Sequence, residues 1–172
     1  AGYHARANAL SQEKRNNEAY ADYERALTLD RSNGPVMFDY GLSAMQGGDF
    51  KKAMALWIQN LDVDPLSAST NTQMAFILGT QGRTNEQQAY IDRAIQLDPA
   101  NSDIRLQLFY SQANAGEMIP AIQLLYAGLQ NDPESVQIIS HLAFALSHLG
   151  ANAAVLRWAD YVKRIHPPAA YE

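Results

Sequence analysis

Four histidines are the residues best suited to acid–base or metal chemistry in this sequence, and their spacing serves neither. His141 and His148 are seven apart, two helical turns, too far for joint metal ligation without further ligands. His4 and His166 stand near the two ends. Ser140, His141 and Asp160 have the residue types of a nucleophilic triad, but no strained turn presents the serine to a substrate. The chain has no cysteine, which removes thiolate nucleophiles, disulfides and Cys-bound zinc. The patterns G-x-x-x-x-G-K-[ST], G-x-S-x-G, G-x-G-x-x-G and H-E-x-x-H do not occur. Gly47-Gly48-Asp49-Phe50 reads as a turn followed by an aspartate helix cap, not as a phosphate cradle. The reading is a non-enzyme without cofactor or metal.

What remains is non-covalent recognition. Leu42, Phe76, Tyr110 and Phe144 recur every 34 residues, and so do Asp39, Gln73, Gln107 and His141. Aromatic faces bury apolar side chains, and carboxamides offer a donor and an acceptor to a peptide backbone.

The interval of 34 also governs the punctuation. Pro65, Pro99, Pro133 and Pro167 share one phase, and Gly48, Gly82, Gly116 and Gly150 share another. Glycine just past a helix end takes the left-handed conformation at little steric cost. Proline cannot continue a helix and biases the residue before it towards extended backbone. Asp64, Asp98 and Asp132 occupy that preceding position. Between the marks lie helical patterns, so helices are expected over 2–14, 17–30, 35–47, 50–63, 68–81, 84–97, 102–115, 118–131, 135–149 and 152–165.

The unit from Gly34 to Ser67 resembles the tetratricopeptide repeat through Tyr40, Gly41, Gly48, Phe50, Ala53, Trp57 and Pro65, departing at Ala44 and Asn60. The other units match in part: Tyr3, Ala7, Leu10, Ala19, Tyr23 and Ala26 in the first, and Ala75, Leu78, Gly82, Ala94 and Pro99 in the third. The fourth matches at Leu108, Gly116, Ala121 and Pro133, with Phe109 and Gly128 as departures. The fifth matches at Leu142, Ala143, Leu146, Gly150 and Pro167, with Val155 and Val162 in place of alanine. Thr84 and Gln87 read as a capping box. The resemblance implies an all-α, right-handed α-solenoid in a single domain over 1–172, with repeats at about 1–33, 34–67, 68–101, 102–135 and 136–169. Each hairpin is too thin to bury its own apolar face, so neighbours must stack.

In that family the first helix of each repeat lines a concave groove. The resemblance therefore implies a partner-binding groove with Phe38, Leu42, Phe76, Leu106, Tyr110 and Phe144 for apolar contact. Asp39, Gln73, Gln107 and His141 form the polar ladder beside them, Asn8 heading the apolar series and Ala5 the polar one. Family members that hold acidic chaperone C-termini use a clamp of Lys, Arg and Asn. Here those positions are His4, Asn8, Asp39, Ser69 and Gln73, with one match and an added anion, which argues against that ligand. The expected function is a protein-interaction scaffold that binds a partner peptide or segment, similar to the repeat regions of bacterial secretion, pilus or envelope-assembly proteins.

Net charge is −5, from 13 Lys and Arg against 18 Asp and Glu, which argues against nucleic acid as a partner. Charge crowds the first repeat, from Arg6 to Arg31, whereas Ser135 to Leu156 carries none. The uncharged run is broken by Gln137, His141, His148 and Gly150, so no transmembrane segment is expected. Absence of cysteine fits periplasm and cytosol alike. The start at Ala1 without Met or leader features reads as a removed leader or an excised fragment. No capping helix follows Pro167, so the last hairpin's outer face is expected to be exposed, truncated or covered by another chain. Two other functions fit the sequence: a structural module that forms homo-oligomers through the uncharged C-terminal repeat, and a regulatory segment of a larger enzyme.

Overall fold

Asparagine and serine alternate at positions 33, 67, 101 and 135, and each starts a helix. The side chain of each accepts the backbone N–H three residues on, at Val36, Thr70, Ile104 and Ile138 respectively. Replacing such a cap with alanine costs about 1 kcal/mol. This 34-residue series is as regular as the glycines and prolines, and the sequence reading did not pick it out.

The computed structural model describes residues 2–151. Their regular structure is helical throughout: α1 (Gly2–Gln12), α2 (Asn16–Leu29), α3 (Gly34–Gln46), α4 (Phe50–Val63), α5 (Ala68–Thr80), α6 (Thr84–Leu97), α7 (Ser102–Asn114), α8 (Met118–Asn131) and α9 (Val136–His148). The helix expected over 152–165, and the outer face of the last hairpin with it, lie outside the described residues.

Gly48, Gly82, Gly116 and Gly150 have φ of 83°, 70°, 85° and 73°, the left-handed turn their spacing predicts. The first hairpin uses Lys14 in the same phase, with φ of 61°. That turn ends α1 at Gln12, two residues short of the predicted end. A left-handed backbone is unfavourable for a residue with a Cβ. Lys14→Gly should therefore raise stability by about 0.5–1 kcal/mol, read as a higher urea midpoint at unchanged slope.

One expectation is corrected. Thr84 and Gln87 form no capping box: Arg83 precedes the helix without a side-chain cap, and Thr84 is already helical. Gln87 therefore lies a full turn inside α6, buried, where its Nε2 donates to Ser111 Oγ at 2.8 Å. Ser111 Oγ in turn donates to Ala75 O at 3.1 Å, joining α5, α6 and α7. The Asp49 cap is as predicted, its carboxylate accepting from Lys52 N at 3.0 Å.

The apolar stripes recur at helical spacing, as with Ala53, Leu56, Trp57 and Asn60 on α4. Each hydrophobic cluster spans two hairpins. Ala7, Ala19 and Tyr23 pack with Val36, Tyr40 and Leu56. Ala44, Ala53 and Trp57 pack with Met74 and Ile77. Ala75, Ile91 and Ala94 pack with Ile104 and Leu108. Phe109, Ala121 and Leu125 pack with Ile138, Ile139 and Leu142. The hairpins hold one another because none has a core of its own.

The departures from the repeat pattern have local causes. Asn60, in an alanine position, is buried; its Nδ2 donates to Gly34 O at 2.7 Å and its Oδ1 accepts from Thr70 Oγ1 at 2.6 Å. It ties the start of α3 to the start of α5. Gly128 leaves room for its neighbours, since a Cβ there would lie 2.7 Å from Ile138 Cδ1 and 2.8 Å from Arg105 Cδ.

Candidate functional site

The ladder residues share the first helix of each hairpin, at positions one turn apart. Their environments change along the chain. Phe38, Leu42 and Phe76 are partly buried against the cluster around Trp57 and Met74. Leu106 is partly buried against the cluster of α7, α8 and α9. Tyr110 is 45% exposed and Phe144 is 59% exposed. The apolar series thus sinks into the core in the middle and emerges towards α9.

At the emerging end Tyr110, Ser140, His141 and Phe144 line an open pocket of about 230 Å³. The Tyr110 and His141 rings meet edge to face, 87° apart in plane and 5.5 Å between centroids. His141 Nδ1 lies 2.7 Å from Gln137 O, so hydrogen bonding to its own helix holds the ring. Phe109, which replaces a small residue of the repeat, is buried behind Tyr110 with centroids 5.2 Å apart. Three residues of the expected groove meet here. Ser140 lines the pocket too, although it belongs to neither 34-residue ladder.

Two polar ladder members lie between. Gln107 is half-buried on α7. Gln73 on α5 is only 8% exposed, and its buried Oε1 has no hydrogen-bond partner among the described residues. A buried acceptor without a donor is costly to keep, by about 1–3 kcal/mol.

The opposite end closes on itself. Asp39 Oδ2 accepts from Asn8 Nδ2 at 2.9 Å and lies 2.7 Å from His4 Nε2. Asn8 Oδ1 accepts from Tyr23 Oη at 2.6 Å. Burial, with the Asp39 charge nearby, pushes the Tyr23 phenol up to about 12, so it stays a donor. Asp39 and Asn8 are thus engaged within the chain. Phe38 and Asp39 also line a separate cleft of about 440 Å³ with Pro35, Asn60, Val63 and Ser69.

Arg6, Arg15 and Arg25 of the first hairpin pair with its Glu13, Glu18 and Asp22. Arg6 Nη2 donates to Asp22 Oδ1 at 2.7 Å, and that hydrogen bond holds the Asp22 carboxyl below its ordinary range. Arg15 bridges Glu13 and Glu18. His148 closes α9, its Nδ1 lying 3.0 Å from Phe144 O. Asp160 of the would-be triad lies outside the described residues. Among the described residues no cluster of His, Asp and Glu could hold a metal ion, and no helix is long and apolar enough to cross a membrane.

The sequence profile described as tetratricopeptide repeat matches residues 1–33 and 68–101, the first and third hairpins. Those two segments are tetratricopeptide repeats. Solved tetratricopeptide structures superpose over nearly the whole length of the chain. MamA of strain AMB-1 does so with a TM-score of 0.66 at 16% identity, covering 96% of this chain and 98% of that one. MamA of Desulfovibrio magneticus RS-1 gives 0.71 at 12% identity, covering 98% and 95%. YrrB, described as a TPR protein with an unusual peptide-binding site, gives 0.62 at 21% identity, covering 97% and 86%. At these identities the likeness concerns the fold. No curated protein sequence matches significantly.

Proposed function

We propose that the chain is a non-enzymatic scaffold whose first-helix face captures an extended or helical segment of a partner protein. The observation that carries this is the exposed aromatic pocket of Tyr110, His141 and Phe144 across α7 and α9. Its open wall leaves two large rings in water that a partner's apolar side chain would cover, each worth about 1.5–3 kcal/mol at full burial. The peptide-binding site named for YrrB is compatible support at the level of the fold.

Tyr110 and Phe144 are the better pair to test, because Phe76 also packs against the core. Peptides selected by display against the intact chain should lose at least about tenfold in affinity for Tyr110→Ala/Phe144→Ala. Helical circular dichroism and the thermal midpoint should stay near the parent values. Unchanged affinity in the double variant would rule the proposal out.

A further inference from the structure

A second polar site lies between α6, α7 and α8. The fourth hairpin carries Arg105 where the same register holds Met37, Asn71 and Ile139, and Gln112 where it holds Ala44, Leu78 and Leu146. Both polar side chains are buried, at 4% exposure each. They line a cleft of about 560 Å³ between α6 and α8, together with the amides of Gln88, Gln123, Gln130 and Asn131. No residue lining that cleft is acidic.

Arg105 has no carboxylate partner. Its Nε and Nη2 donate to Pro99 O at 3.2 Å and 2.9 Å, and its Nη1 donates to Leu124 O at 3.4 Å. A guanidinium has five N–H donors. Three are used, which leaves one N–H on Nη1 and one on Nη2. Those two nitrogens form the terminal fork that matches the two oxygens of a carboxylate. Burial lowers the Arg105 pKa with no opposing anion, yet an arginine does not give up its proton. The charge therefore stays in place, poorly solvated and uncompensated. Gln112 adds a second unmet group: its Nε2 donates to Gln88 Oε1 at 3.3 Å, and its buried Oε1 has no donor among the described residues. Gly128 keeps α8 clear of the arginine stem.

A purely structural role, clamping the α6–α7 connection to α8, uses the three bonded donors. It leaves the two free donors and the acid-free amide lining without a purpose. We propose that the cleft between α6 and α8 is a carboxylate-binding site, with the Arg105 Nη1–Nη2 fork holding the anion and the surrounding amides its attached polar groups. The carboxylate belongs either to a small free acid or to an acidic side chain of a bound protein.

The test follows the Arg105 Nε–H resonance by NMR in the full chain. Sodium glutarate represents the free acid, and N-acetyl-glutamate N-methylamide represents the protein side chain. Sodium chloride at equal ionic strength is the control. At least one carboxylate probe should give a saturable shift, with Kd on the order of millimolar, and the tighter probe identifies the source. Ala127→Glu, on the exposed face of α8 beside the cleft, should supply an internal carboxylate, weaken both probes at least about tenfold and raise the thermal midpoint. Arg105→Lys keeps the charge without the fork and should weaken the probes by a similar factor. Shifts matched by chloride, shifts with phosphate alone, or undiminished probe binding in Ala127→Glu would each overturn the assignment.

Discussion

Trp57→Ala should lower the unfolding free energy by about 3–5 kcal/mol. Trp57 is fully buried in the cluster that joins the second and third hairpins, so its removal opens a void at the seam between them. Its indole Nε1 also donates to Phe38 O at 3.2 Å, so truncation removes that donor. The seam is held by this cluster and by the Asn60–Thr70 hydrogen bond, and each hairpin relies on its neighbours. Thermal unfolding followed by circular dichroism should show a midpoint lowered by roughly 10 °C for a chain of this length. A fall of one or two degrees would mean that the seam repacks.

Gly41→Ala should cost about 1–3 kcal/mol, through crowding instead of a void. A Cβ at Gly41 would fall on the Trp57 indole nitrogen, with further ring atoms at 2.7 Å. The bond from that nitrogen to Phe38 O restrains the ring from swinging aside. Glycine is therefore required here for closeness of approach, since Gly41 has an ordinary helical backbone. The two effects are coupled. In a Trp57→Ala background Gly41→Ala should be nearly neutral, because the ring it strikes is gone. A double-mutant cycle would report that coupling directly, and simple additivity would contradict the account of the contact.

The sequence showed the parts of this fold that depend on backbone conformation. A left-handed turn accepts glycine far better than other residues, and a proline ends a hairpin whatever packs around it, so both left a period of 34 in the text. Lys14 escaped notice because it adopts that turn without the residue type that marks it. Asn60, Gln87 and Arg105 escaped for a different reason. Each is a buried polar group bonded to a partner on another helix or loop, and a linear reading has no access to the pairing. Gln87 looked like a local cap; its partner is Ser111, 24 residues on.

The proposed recognition face was legible as a register but not as an exposure. Phe76 and Phe144 occupy the same position of their repeats, yet Phe76 joins the cluster around Trp57 while Phe144 stands in solvent. Asp39 likewise looked free until His4 and Asn8 came within hydrogen-bonding reach from α1. Spacing assigns a residue to a face; only the neighbouring hairpin decides how much of it remains available.

The central claim is that a partner segment binds across the first-helix face at its aromatic end. It is tested most directly by amide hydrogen exchange on the intact chain, with and without a display-selected peptide. The account predicts new protection concentrated in α7 and α9, spanning Gln107, Tyr110, His141 and Phe144. Protection confined to the second helices, α2, α4, α6 and α8, with those first helices unchanged, would contradict it.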